Sequence, residues 1–212
     1  MADIHKIYDF ARRKFGFQAK RMELFVEMFG VTNVTRILDV GGVGSYWTPL
    51  TVQLRVTLLN IRPPPPNERT EFPSVVGDGC RLPYADRAFD IVFSNSVIEH
   101  VGSEANQEAF AHEVRRVGRS YYVQVPYRWG IFEPHFLVPF VHWLPKPVRK
   151  RLIYWLSPWR YIAKPTRAQS DRSVDGIKLL SRRELQTLFP DAKIISEKFI
   201  WTTKPLIATR VA

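Results

Sequence analysis

A strand that runs straight into glycines constrains this chain most. Arg36-Ile37-Leu38-Asp39-Val40 is an apolar run carrying one acid near its end, and Gly41, Gly42 and Gly44 follow within four positions. That order predicts a buried parallel strand stopping at a tight turn, where missing Cβ atoms let a ligand reach the backbone. In open α/β sheets, ligands bind beyond the carboxyl ends of strands, so this turn marks the first place to look for a site. The dinucleotide pattern G-x-G-x-x-G is not met. Counted from Gly42, Gly44 fits, but Trp47 stands at the third position.

The rest of the chain supports an α/β reading. Strand-like runs recur at Leu54–Asn60, Ser74–Val76, Asp90–Ser94 and Ser120–Val125, and Glu104–Val117 carries one apolar helical face through Ala105, Ala109, Phe110 and Val114. This alternation predicts a mostly parallel sheet with helices on both faces. Residues 1–33 read as an N-terminal helical region, with Gly16 as a break. The regular pattern stops at Pro126. Residues 126–180 read as a basic, aromatic lid or insertion after the fifth strand, with short helices expected near Phe136–Trp143 and Val148–Leu156. Beyond it, Ser181 and Glu184 form a capping box opening a helix to Leu188. Lys193–Phe199 and Pro205–Arg210 are expected to form an antiparallel pair at the sheet edge. The whole chain, 1–212, reads as one domain.

Charge narrows the partners. The formal net charge is +11, and residues 126–165 hold seven basic residues against Glu133 alone. Such a field attracts nucleic acid, anionic lipid or a phosphorylated substrate, or is simply a solvated face. Nucleic acid is the weakest of these, because no recognised RNA-binding module accompanies the charge. No apolar stretch approaches the roughly 20 residues that span a bilayer. Met1–Lys14 lacks the uninterrupted apolar region of a secretory signal, and the single cysteine, Cys80, excludes an intramolecular disulfide. Both fit a cytoplasmic protein. No Cys/His cluster has metal-ligand spacing, so no metal is expected.

Taken together, the glycine turn, Val76-Gly77-Asp78-Gly79-Cys80-Arg81-Leu82-Pro83-Tyr84 and Phe89-Asp90-Ile91-Val92-Phe93-Ser94-Asn95-Ser96-Val97-Ile98-Glu99-His100-Val101 resemble class I S-adenosylmethionine-dependent methyltransferases. The likeness is to the type 11 group, which includes ubiquinone and menaquinone methyltransferases, and it covers residues 36–125. It implies a Rossmann-like, seven-stranded sheet whose last two strands are antiparallel, and S-adenosyl-L-methionine as cofactor. By the same resemblance, Asp39, Gly41, Gly42 and Gly44 hold the methionine portion. Asn60 stands where an acid usually grips the ribose. Asp78, with Gly79 and Cys80, meets the adenine, and Asn95 closes the fourth strand beside them. Val43 and Ser45 depart from the family pattern, which usually has glycine at both places. Bland readings compete: Asp39 as a loop cap, Asn60 as a strand-end turn former and Asp78 as an Asx turn.

Methyl transfer needs alignment and exclusion of water, and a hydroxyl acceptor also benefits from a general base. His100, Glu133 and His135 are the candidates for that role, and Tyr127, Arg128 and Trp129 for acceptor contacts. The function expected is methyl transfer, at oxygen, to a small-molecule, lipid-linked or glycan-linked acceptor. The alternatives are an RNA methyltransferase and a cofactor-binding, non-catalytic subunit; no obligate protein partner is evident. Residues 140–160 interleave aromatic with basic side chains. They suit a lid over the pocket or contact with an anionic membrane surface, which would make the protein peripheral at the inner membrane face.

Overall fold

A computed structural model describes residues 17–48, 50, 53–65, 70–128, 132–133, 136, 138–196 and 205–212. Five strands succeed one another as β1 (Arg36–Val40), β2 (Arg55–Asn60), β3 (Ser74–Val76), β4 (Phe89–Asn95) and β5 (Gly118–Val125). A small pair follows, β6 (Phe132–Glu133) and β7 (Val138–Pro139), and the chain ends with β8 (Lys193–Ser196) and β9 (Leu206–Arg210). The main sheet has seven strands in the order β3-β2-β1-β4-β5-β9-β8. β1 to β5 pair in parallel, and β9 runs antiparallel to both β5 and β8. The order reverses between β1 and β4, so their carboxyl ends form the switch point where such sheets bind ligands.

Successive side chains of a strand point to opposite faces, and the sheet buries both. Leu38, Val40, Val92, Tyr121 and Val123 pack on one side, beneath helix α2 (Glu104–Val117) and helix α6 (Arg182–Leu188). Ile37, Ile91, Phe93, Tyr122 and Ile207 face the other side with Met22 and Phe25 of helix α1 (Phe17–Phe29). Phe25 meets Trp47, Phe93 and Tyr122 edge-on, and Phe93 stacks on Tyr122 with 6° between the rings. Both are favoured aromatic arrangements. Helix α1 closes with a Schellman motif, in which Gly30 at φ +55° and Val31 donate back to Glu27 and Val26. The expected capping box is present at Ser181 and Glu184.

The insertion departs from expectation in two respects. The helix predicted over Phe136–Trp143 does not form. β7 and a single 3-10 turn at Val141–Trp143 take its place, because Pro139 lacks an amide hydrogen and Phe140 adopts φ 58°. Helices α4 (Pro158–Ala163) and α5 (Arg167–Asp175) were not foreseen, although Thr166 and Gln169 form a readable capping box. Helix α3 (Lys146–Leu156) starts two residues before the sequence signal. Phe136, Val138, Val141, Ile153 and Val174 gather into an apolar cluster apart from those of the sheet. One main-chain bond ties this insertion to the segment after β4, Lys178 N–H donating to Glu99 O at 2.8 Å, and another joins its two ends, Arg128 N–H donating to Leu180 O at 3.2 Å.

Candidate active site at the carboxyl edge

The glycine turn is built around a buried carboxyl. Asp39 is 1% exposed, and the indole Nε1 of Trp47 donates to its Oδ2 at 2.7 Å. Burial pushes the Asp39 carboxyl up to about 7, and the indole bond acts against that rise. Its Oδ1 has no hydrogen-bond partner among the described residues. Gly42 lies against this carboxyl so closely that a Cβ there would fall 1.9 Å from Oδ2. Gly41 has φ +78°, and a Cβ on it would meet Val97 Cγ2 at 2.4 Å. Glycine at 41 therefore lets the chain reverse while touching the segment after β4.

The neighbouring strand ends deliver polar groups to the same edge. Asn60 Nδ2 donates to Gly42 O at 2.9 Å, which holds the turn and leaves Oδ1 as an acceptor. Asp78 forms an Asx turn, with Cys80 N–H donating to its Oδ1 at 2.8 Å. The Cys80 thiol donates to Asn106 O at 3.3 Å, so both donors of Cys80 are engaged within the chain. Burial raises that thiol to about 11, helped by the charge of Asp78, which keeps it protonated at neutral pH. A Cβ on Gly79 would meet Phe110 at 2.8 Å, so this glycine permits packing on helix α2.

After β4, Ser96 adopts φ 58° and its hydroxyl donates to Asn95 Oδ1 at 3.3 Å. A 3-10 turn, Ile98–His100, then carries fully buried Glu99 and half-exposed His100, whose Nε2 lies 4.0 Å from Glu99 Oε1. After β5, Tyr127 bridges to Leu180, and Arg128 pairs with Glu184 at 3.2 Å. Glu133 contributes backbone to β6, paired with Val138. Trp129 and His135 lie outside the described residues, as does the side chain of Glu133. The edge thus brings together Asp39, Gly41, Gly42, Gly44, Asn60, Asp78, Gly79, Cys80, Asn95 and His100 at the ends of adjacent strands.

Two cavities stand out among the described residues. One of about 690 Å³ opens at the amino-terminal ends of β1, β2 and β4, beside Arg36, Arg55 and Phe89, and extends to Trp47 and Thr48 after the glycine turn. The other, of about 340 Å³, lies at the carboxyl edge beneath the insertion and reaches Gly102 and Arg128. Sequence reasoning passed over Trp47 as a donor; an indole eight residues after a strand-end acid, across a glycine turn, was the available signal. It also passed over Lys178, which the fold brings to the carboxyl edge from far along the chain.

The arrangement fits S-adenosylmethionine. A positive-φ glycine gives backbone access, and Asn60 Oδ1 and the second oxygen of Asp78 stand as acceptors on adjacent strand ends, suited to a ribose hydroxyl and an amino group. The comparisons agree. The family described as Methyltransferase domain, of the type 11 group, matches residues 38–121. No curated protein matches by sequence. A S-adenosylmethionine-dependent methyltransferase from Archaeoglobus fulgidus is similar at 12% identity, with 96% of this chain and 99% of that one covered and a TM-score of 0.55. A chain from a Haloferax volcanii complex of a methyltransferase with its activator is similar at 17% identity, 95% and 91% coverage, and a TM-score of 0.54. Phosphoethanolamine N-methyltransferase 2 of Haemonchus contortus, solved with S-adenosylmethionine, is similar at 12% identity, 91% and 52% coverage, and a TM-score of 0.58. At such identities the structural likeness speaks for the fold.

Sheet order, glycine turn and family match together make this chain similar to class I S-adenosylmethionine-dependent methyltransferases, whose fold it shares. The match to the type 11 methyltransferase domain covers residues 38–121.

Proposed function

We propose that this protein methylates an oxygen of a small-molecule, lipid-linked or glycan-linked acceptor seated between the carboxyl edge and the insertion. The observation that carries this reading is the position of the 340 Å³ cavity, which touches Gly102 after β4 and Arg128 after β5, next to the segment that packs on Gly41. Bound S-adenosylmethionine supplies a methyl group already activated by its sulfonium. Asn60 and Asp78 hold the ribose and adenine, and Asp39 keeps the turn in shape beneath the methionine portion. His100, half-exposed on the segment that leads to Gly102, serves as the base for a hydroxyl proton, its Nε2 4.0 Å from Glu99 Oε1. The lid of 140–160 excludes water, and exposed Trp143, Trp155 and Phe140 suit it to an interfacial surface. No described helix is long and apolar enough to cross a membrane.

A second reading, a cofactor-binding subunit without turnover, draws support from the turn's own packing. A Cβ on Gly44 would fall 2.1 Å from Thr70, so side chains of this chain occupy part of the glycine cradle. Calorimetry with S-adenosylmethionine and S-adenosylhomocysteine, followed by a methyl-transfer assay, separates the two readings. Micromolar binding of both with turnover supports the enzyme, binding without turnover supports the subunit, and binding of neither removes the cofactor assignment from both.

A further inference from the structure

The carboxyl-edge cavity has an unusual lining. Four cations, Arg128, Lys146, Arg149 and Lys178, face it, against the single acid Asp175. Asp175 is itself paired with Lys150 at 2.5 Å. Arg128 and Lys178 have outward partners in Glu184 and Glu104. Lys146 and Arg149 make no ion pair among the described residues, and the buried Arg149 Nε has no hydrogen-bond partner there. The amino end of helix α3 adds its own positive pole, since Pro145 at the cap supplies no side-chain acceptor. Opposite these groups, Phe136, Ile153, Val174 and Ile177 form an apolar wall.

A buried guanidinium nitrogen without an acceptor is costly unless a ligand completes it. The guanidinium fork suits phosphate oxygens, and ammonium groups serve as point charges beside it. We infer that this cavity holds the phosphoryl group of the methyl acceptor, with Arg149 and Lys146 as its principal anchors and the apolar wall receiving the adjoining hydrocarbon. This rests on the methyltransferase reading and names its substrate class as a phosphate ester. Both a soluble phosphate ester and a phospholipid headgroup present that chemistry.

The test uses the full-length protein and two independent titrations, one with inorganic pyrophosphate and one with S-adenosylhomocysteine. Arg149→Gln is expected to weaken pyrophosphate at least tenfold while S-adenosylhomocysteine affinity stays within twofold. Lys146→Gln, at an exposed position, is expected to act in the same direction and guards against misfolding of the first variant. Pyrophosphate that does not bind, or binds wild type and both variants equally, overturns the inference. Arg149-dependent pyrophosphate binding without any S-adenosylhomocysteine binding supports the cavity and counts against the methyltransferase reading. Co-sedimentation with phosphatidylglycerol vesicles, but not phosphatidylcholine vesicles, that is lost in Arg149→Gln assigns the phosphate to a lipid. Arg149-dependent titration without sedimentation assigns it to a soluble ester.

Discussion

Trp47 and Asp39 form a buried donor–acceptor pair, the indole Nε1 lying 2.7 Å from the carboxyl Oδ2 with both residues 1% exposed. Trp47 also packs edge-on against Phe25 and Phe93, so the same ring joins the aromatic layer under helix α1 to the glycine turn.

This pair makes stability depend on pH. The folded Asp39 carboxyl titrates near 7, above its ordinary 3.8, so the folded state holds the proton more tightly than the unfolded chain. Stability therefore falls as pH rises from about 4 to about 7, by at most roughly 4 kcal/mol, and is level above that. Asp39→Asn keeps an acceptor for the indole and removes the titration. Its melting temperature relative to wild type is expected to climb between pH 5 and pH 8; a constant difference across that range would contradict the raised value.

Removing the donor is the complementary experiment. Trp47→Phe leaves the carboxyl without its indole bond and opens space beside Phe25. Urea unfolding is expected to show a loss of about 2–4 kcal/mol, larger at pH 8 than at pH 5 because the ionised carboxylate suffers most.

Two positive-φ glycines give a matched comparison. At Gly30, a Cβ would meet nothing within 4 Å, whereas at Gly41 it would meet Val97 at 2.4 Å. Gly30→Ala is expected to lower stability by about 1 kcal/mol through backbone strain alone. Gly41→Ala is expected to cost more than 2 kcal/mol and to weaken S-adenosylhomocysteine at least tenfold by calorimetry, with Gly30→Ala leaving that affinity unchanged.

Acid sensitivity should come from Glu113. Its carboxylate accepts Leu82 N–H at 2.8 Å and a forked pair of bonds from Arg116, which in turn donates to Tyr84 O and Asp86. Arg116 is the main cause holding Glu113 below its ordinary value near 4.5. The stability it contributes is therefore present above that value and lost as pH falls through the lowered one. Glu113→Gln is expected to cost about 2–4 kcal/mol at pH 7 and far less at pH 3, read from urea midpoints.

The sheet was legible because its strands are short apolar runs separated by strong turn signals. β1 and β3 fall where the sequence placed them, and β2, β4 and β5 differ by at most two residues at an end. Helix α2 announced itself by its apolar face, and the structure adds a Ser103 cap whose hydroxyl accepts Asn106 N–H. The polar carboxyl edge was legible through residue type: Asp39, Gly41, Asn60 and Asp78 all reach it. What local pattern could not reveal was which partners those groups would choose. Asn60 and Asp78 turned out to hold backbone as well as face outward, as their turn-forming chemistry allows. The insertion was hard to read because its order comes from contacts distant in sequence, such as Ser157 Oγ donating to Phe136 O at 2.8 Å. Lys178 joins the cavity 50 residues after Arg128, a spacing that no local periodicity reports.

The insertion keeps a private apolar centre and is held to the segment after β4 by the main-chain hydrogen bond from Lys178 N–H to Glu99 O, beside the ion pairs of Lys178 with Glu104 and of Arg128 with Glu184. Peptide groups are common to every residue type, so the apolar side chains walling the cavity, Phe136, Ile153 and Val174 among them, can be exchanged without touching that main-chain link. Acceptor preference in this architecture is free to diversify while the catalytic edge stays as it is.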